Sequence, residues 1–221
     1  AGAPVRSACC NGGLLAVLGD AGEVFVARAD RSPLVLRATQ RIPGAVFVAV
    51  APDGGTLAAI DGNGGLFAGR PGELTAVDLP VGAFALEAVF GEDSDTLFLR
   101  AAASPDVLRV SLGERMVLTP FRTGASPVAD LRADPAGRWL VSRDADGAAR
   151  LWHTVSGRSV SLPTLDASVA DFRFAPDGSA IDCMTDDGAA RRFMLRAPAP
   201  SVQADGLKRL VRDKLDIVAP A

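Results

Sequence analysis

Val128-Ala129-Asp130-Leu131-Arg132 returns forty-one residues later as Val169-Ala170-Asp171-Phe172-Arg173. Each stretch runs into a Pro-x-Gly turn, Pro135-Ala136-Gly137 and Pro176-Asp177-Gly178. An apolar run, an Asp-Gly turn and a second apolar run with an aromatic follow in both cases. A unit repeating near forty residues cannot bury both of its faces alone and has to stack on its neighbours.

Carried outward, the period gives five copies, near residues 5–45, 46–84, 85–127, 128–168 and 169–200. The turn after the first strand of each reads Asn11-Gly12-Gly13, Pro52-Asp53-Gly54, Glu92-Asp93-Ser94, Pro135-Ala136-Gly137 and Pro176-Asp177-Gly178. An aromatic follows in four copies, Phe25, Phe67, Trp152 and Phe193, and these four are expected at equivalent buried places; the third copy has Leu108 there. In between lie Asp20-Ala21-Gly22, Asp61-Gly62-Asn63-Gly64, Asp146-Gly147 and Asp187-Gly188. Such pairs close hairpins, because glycine accepts positive φ and aspartate bonds its own backbone. The segments they bound are strand-sized: Val46–Ala51, Thr56–Asp61, Gly65–Arg70 and Leu74–Leu79 in the second copy, and Val128–Ala133, Trp139–Asp144, Ala148–Thr154 and Ser159–Leu165 in the fourth. Four short strands per unit make a propeller blade. The predicted fold is all-β: a propeller of about five four-stranded antiparallel blades over residues 1–200, with a short C-terminal helix in 201–221.

The order Val-x-x-Φ-x-Φ-x-Pro-Asp-Gly, apolar strand, Asp-Gly, then a strand with Trp resembles that of WD-repeat β-propellers. Arg150-Leu151-Trp152-His153 is similar to the Arg-Leu-Trp-Asp ending of that family, with His in the last place. The resemblance covers roughly residues 5 to 196. It departs in two respects: no Gly-His dipeptide occurs, since His153 is the one histidine, and Phe replaces Trp in three copies. The hydrogen-bonded Ser/Asp-His-Trp set that braces many family blades therefore cannot form. The resemblance implies a propeller that binds other proteins.

Composition agrees with a single β domain of 221 residues, nearly half of them apolar. A net charge of −3 with mixed signs gives no basic field, so nucleic acid is not expected as a partner. No apolar stretch is long enough for a membrane span. The chain opens Ala1-Gly2-Ala3-Pro4 without Met, as a processed protein or a piece of a longer one would. Cys9, Cys10 and Cys183 read as small buried thiols in a reducing compartment, which suggests a cytoplasmic protein. They lack the histidines and spacing of a metal site, and no cofactor is expected. His153 alone cannot serve a triad without a serine or cysteine motif, and none is present, so no catalysis is expected.

Asp130, Arg132, Asp171 and Arg173 alternate along two innermost strands and are the candidate channel-lining residues, either a ligand-coordinating ring or a set of mutually paired charges. Past the stiff Ala197-Pro198-Ala199-Pro200, Leu207, Leu210, Val211 and Leu215 recur at helical period; this helix either folds back on the propeller edge or docks a neighbouring domain or subunit, and these are the candidate partner-docking residues. The fifth copy shows no fourth strand, so either the tail closes the ring irregularly or further blades lie elsewhere. The reading that fits best is a non-catalytic interaction scaffold for another protein or domain, as the sensor or docking domain of a larger signalling protein or complex. The alternative is a small-ligand-binding or hydrolytic propeller using the channel; with no Tyr and both Trp in strands, a small ligand is not expected.

Overall fold

The computed structural model describes residues 4–113, 118–122, 126–162 and 168–195. Blade 1 holds β1 (Val5–Asn11), β2 (Leu14–Gly19), β3 (Glu23–Arg28) and β4 (Arg37–Arg41). Blade 2 holds β5 (Ala45–Val50), β6 (Leu57–Asp61), β7 (Leu66–Gly69) and β8 (Thr75–Val77). Blade 3 holds β9 (Ala85–Phe90), β10 (Thr96–Ala101), β11 (Asp106–Ser111) and β12 (Leu118–Arg122). Blade 4 holds β13 (Val128–Ala133), β14 (Trp139–Asp144), β15 (Ala149–His153) and β16 (Ser159–Ser161). Blade 5 holds β17 (Val169–Phe174), β18 (Ala180–Thr185) and β19 (Ala190–Met194). Every sheet is antiparallel and ordered as in the sequence; four have four strands, and blade 5 has three among the described residues. No helix occurs among them, and the tail residues Leu207, Leu210, Val211 and Leu215 lie outside the described residues.

Burial explains the stacking. Each sheet has a near face toward the preceding blade and a far face toward the next, because side chains alternate along a strand. The far face of blade 1 (Leu14, Ala16, Leu18, Val24) packs on the near face of blade 2 (Val48, Leu57, Ala59). Ala58, Ile60 and Leu66 then meet Leu97 and Leu99 of blade 3. Phe98, Val107 and Phe121 meet Leu131, Leu140 and Trp152 of blade 4. Trp139, Val141, Ala149 and Leu151 meet Phe172, Ile181, Cys183 and Phe193 of blade 5. Turns also touch between blades: a Cβ on Gly137, at φ 70°, would fall inside van der Waals contact of the Gly91 carbonyl carbon. Only glycine fits that seam.

Strand register corrects one expectation. Leu140 pairs with Trp152 and Ile181 with Phe193, whereas Phe25 pairs with Val17 and Phe67 with Ala59. Counted from the hairpin turns, Phe25 and Phe67 stand two residues earlier on the third strand than Trp152 and Phe193. The four aromatics share the near face, because two residues is one strand period, but they do not share a position. Trp152 and Phe193 are buried, while Phe25 and Phe67 are half-buried. Of the family's hydrogen-bonded set one link survives: the Trp152 indole N–H donates to the buried Ser142 Oγ at 2.9 Å. Phe121 stacks on Trp152, centroids 5.3 Å apart, and Phe98 packs on Phe121.

A second correction concerns the turn acids. In blade 4 the residue that closes the hairpin is Asp144, whose Oδ1 accepts the Asp146 and Ala148 N–H groups, and not Asp146. Asp146 instead accepts the Ser126 hydroxyl. In blade 1 Asp20 pairs with Arg6, and Gly19 occupies the turn position.

Candidate functional site

The five innermost strands β1, β5, β9, β13 and β17 line a central cavity of about 490 Å³. Each of these strands carries an irregularity at the same place, beside Ser7, Phe47, Glu87, Asp130 and Asp171. A β-bulge leaves one residue unpaired and re-aims its side chain. The residues so placed are Arg6, Val46, Leu86, Ala129 and Ala170, and all but Ala129 are exposed. The bulge thus separates two sets of positions: those beside it, of which Ser7, Phe47 and Glu87 line the cavity, and the unpaired ones thrown out at the channel mouth.

Of the four expected channel charges, Arg132 and Arg173 line the cavity and Asp130 and Asp171 do not. The organising group is Glu87, which the sequence reading did not single out. Glu87 is buried; its Oε2 accepts from Arg100 Nε at 3.1 Å and its Oε1 from Arg132 Nη1 of the next blade. Arg132 Nη1 also lies 2.9 Å from Asp130 Oδ1. Burial pushes the Glu87 carboxyl above its usual range, with Asp130 adding to the rise and Arg132 and Arg100 opposing it. Asp171 and Arg173 do not join this network: they pair with each other at 3.6 Å and are largely solvated. Asp130 Oδ1 and Asp171 Oδ1 each accept the next backbone N–H, of Leu131 and Phe172. The four residues therefore form two separate groups, one locked by a carboxylate from blade 3 and one facing water. Below them, Asp134 is fully buried; its Oδ1 accepts the Trp139 N–H at 2.7 Å, and its Oδ2 lies 3.7 Å from Arg138 Nε. Asn11 of blade 1 reaches across to donate to the Pro135 carbonyl at 3.3 Å.

The chemistry this arrangement supports is pairing and recognition. His153 lies outside the cavity lining, stacked edge-on to Trp139 at 5.1 Å, with its Nδ1 beside the Ser156 N–H and hydroxyl. Burial holds its pKa below the usual imidazole value. Among the described residues no group of three or more His, Cys, Asp or Glu side chains is placed to hold a metal ion. Burial drives the Cys183 thiol up to about 12, which leaves it protonated and inert. Cys9 is half-buried, but Cys10 is exposed, against the expectation of three buried thiols, because it sits on the near face of blade 1 and lines the open cavity. No helix among the described residues is long and apolar enough to cross a membrane.

At the mouth the thrown-out side chains of blades 2 and 3 are apolar. Val46 and Phe84 flank the Gly62–Gly64 turn, and Val81 and Leu86 are exposed beside Phe84 in sequence. Exposed large apolar groups gathered on one face mark an interaction surface more often than scattered ones do.

No family model matches the chain. It is 31% identical over 87 residues to the ribosome biogenesis protein BOP1 homolog of Monosiga brevicollis, a match spanning 36% of this chain and 11% of that protein. Among solved structures it is similar to a chain of the mitotic checkpoint complex, with a TM-score of 0.61 at 15% identity, over 86% of this chain and 63% of the other. The stack of antiparallel sheets agrees with these likenesses: the chain folds as a β-propeller, WD-repeat-like with degenerate repeats.

Proposed function

We propose that the chain is a non-catalytic protein–protein interaction scaffold, the sensor or docking domain of a larger cytoplasmic signalling protein or complex. The observation that carries this reading is the contrast at the channel mouth. The channel charges of Glu87, Arg100, Arg132 and Asp130 already satisfy one another, whereas Val46 and Leu86 are held out into solvent by the repeated bulge and Val81 and Phe84 are exposed in the connection between β8 and β9. Desolvated apolar anchors supply most of the binding energy in protein interfaces, while paired charges have to be broken before they bind anything else. A net charge of −3 favours a protein partner over nucleic acid. The similar solved chain is itself part of a complex, which supports the reading by likeness of fold.

The test is an affinity purification with the full chain, its Phe84→Ser/Leu86→Asp variant, its Asp171→Asn variant and a form lacking residues 201–221. Proteins recovered by the parent and the Asp171→Asn chain, but lost with the mouth substitutions or the deletion, support a scaffold. Loss with Asp171→Asn alone would move the function into the channel.

A further inference from the structure

The outer rim of blade 1 differs in chemistry from the rest of the molecule. Between β3 and β4 the chain presents Leu34, Val35 and Leu36 with 51%, 57% and 45% of their surface exposed. Three consecutive large apolar residues held out this way are unusual for a loop of a soluble surface. Beneath them, in the wedge between blades 1 and 2, lies a pocket of about 350 Å³. Leu14, Val26, Ala27 and Pro71 form its floor, and Pro33 and Val35 form its wall. Arg28, Arg31 and Arg37 line its edge.

The charge around this pocket is also unlike its surroundings. Residues 28–41 hold four Arg and one Asp in a chain whose net charge is −3. Arg28 is paired with Asp30 at 3.4 Å and Arg31 acts on the same carboxylate without closing a salt bridge, while Arg37 closes none among the described residues. The corresponding rim pocket between blades 2 and 3, of about 510 Å³, is polar and mixed in sign, with Arg70, Glu73 and Asp95 on its walls. Nor is the blade 1 rim a loose flap. Gln40 clamps β4 to blade 2 twice: its Nε2 donates to the Leu74 carbonyl at 2.8 Å, and its Oε1 accepts the Leu74 N–H at 2.7 Å. Thr39 Oγ1 donates to the Val24 carbonyl at 3.1 Å. β4, and with it the Arg37 side of the site, is thus fixed before binding.

We propose that this rim docks an extended acidic segment of a partner protein. A large apolar side chain of the segment enters the pocket against Val26 and Val35, Leu34 and Leu36 cover the adjoining residues, and flanking carboxylates pair with Arg31 and Arg37. The proposal rests on the scaffold reading and assigns it a second surface, remote from the channel mouth. The concave apolar floor favours a peptide over a lipid surface, because a flat bilayer cannot reach Leu14 and Val26. The arginines supply on-rate and sign selection, and the pocket supplies the anchoring contact.

A peptide-display selection against the full chain tests this, with affinities of the selected peptides then measured on the parent, a Leu36→Asp variant and an Arg31→Glu/Arg37→Glu variant. All these substitutions are on the surface, and unchanged melting curves confirm intact folding. The expected peptides carry a Leu, Phe or Trp flanked by Asp or Glu. Their affinity falls about tenfold or more with either variant, as for hot-spot residues. It also weakens as salt rises. Enrichment of neutral or basic peptides, or acidic peptides bound equally by all three chains, overturns the proposal. Peptides that survive the rim variants but are lost with Phe84→Ser/Leu86→Asp overturn it while leaving the scaffold reading intact. In parallel, co-sedimentation with vesicles of phosphatidylcholine and phosphatidylserine, if lost in the rim variants and matched by no peptide, assigns the rim to a membrane instead. No enrichment of any peptide rejects the rim site.

Discussion

Blades 4 and 5 carry the clearest copies of the repeat, yet the centres of their far faces differ in chemistry. In blade 4 the centre of that face is Val141 beside Leu151, both essentially inaccessible beneath blade 5. At the same register, blade 5 has Asp182 beside Arg192, joined at 2.6 Å and 2.7 Å with side chains 47% and 55% exposed. The corresponding residues of blades 1 to 3, Ala16, Ala58 and Phe98, are fully buried. Among the described residues no apolar cluster or hydrogen bond joins blade 5 to blade 1. The near faces of the two blades, by contrast, are alike, with Trp152 and Phe193 almost equally buried. The same strand geometry thus carries an apolar pair under the next blade in blade 4 and a part-exposed ion pair in blade 5.

The largest effect is expected on the shared near face. Trp152→Ala should destabilise the fold by about 3–5 kcal/mol, since it opens a cavity beside Phe121 and strands the Ser142 hydroxyl. Phe193→Ala should fall in the same range but lower, with no polar group exposed, and denaturant melts measure both. Writing blade 5 into blade 4 comes next: Val141→Asp places an unpaired charge in a closed seam and should cost about 3 kcal/mol. The reverse exchange, Asp182→Val/Arg192→Leu, should change stability by less than about 1 kcal/mol, because the pair it removes is exposed. It should instead promote self-association, seen by light scattering. A strongly destabilised double variant would show that the Asp182–Arg192 pair is not the solvated pair described here.

The smallest effect concerns the fold's only histidine. The folded state favours the neutral His153 ring, so the unfolded chain takes up the extra proton as pH falls. Stability should decline as pH drops below the ordinary value near 6.5, with the loss complete below the lowered folded-state value. Comparing parent and His153→Phe melts between pH 7 and 5 isolates that step.

Much of this architecture is legible in the chain because turns are written in few residues. β13 and β14 fall on the stretches that the repeat defines, Val128–Ala133 and Trp139–Asp144. Where reading failed, the cause is pairing between strands, which no single strand displays. Glu87 lies in the same column as Asp130 and Asp171, but that column is set by the bulge, and its partners come from β10 and the next blade. The third copy also lacks a glycine in its first turn, where Ser94 takes φ 57° in its place. The two-residue offset of Phe25 and Phe67 stayed hidden because strand period hides shifts of two. Leu34-Val35-Leu36 reads like an interior strand by composition, and only the fold shows that it stands on the rim.

The central claim is that recognition belongs to the surface of this disc and not to its channel. Its most direct test is calorimetric titration of the purified partner into the parent chain, the Phe84→Ser/Leu86→Asp chain and the Asp171→Asn chain. The mouth substitutions should weaken binding by about tenfold or more, while Asp171→Asn should leave affinity within about twofold. A large loss with Asp171→Asn and none with the mouth substitutions would contradict that claim.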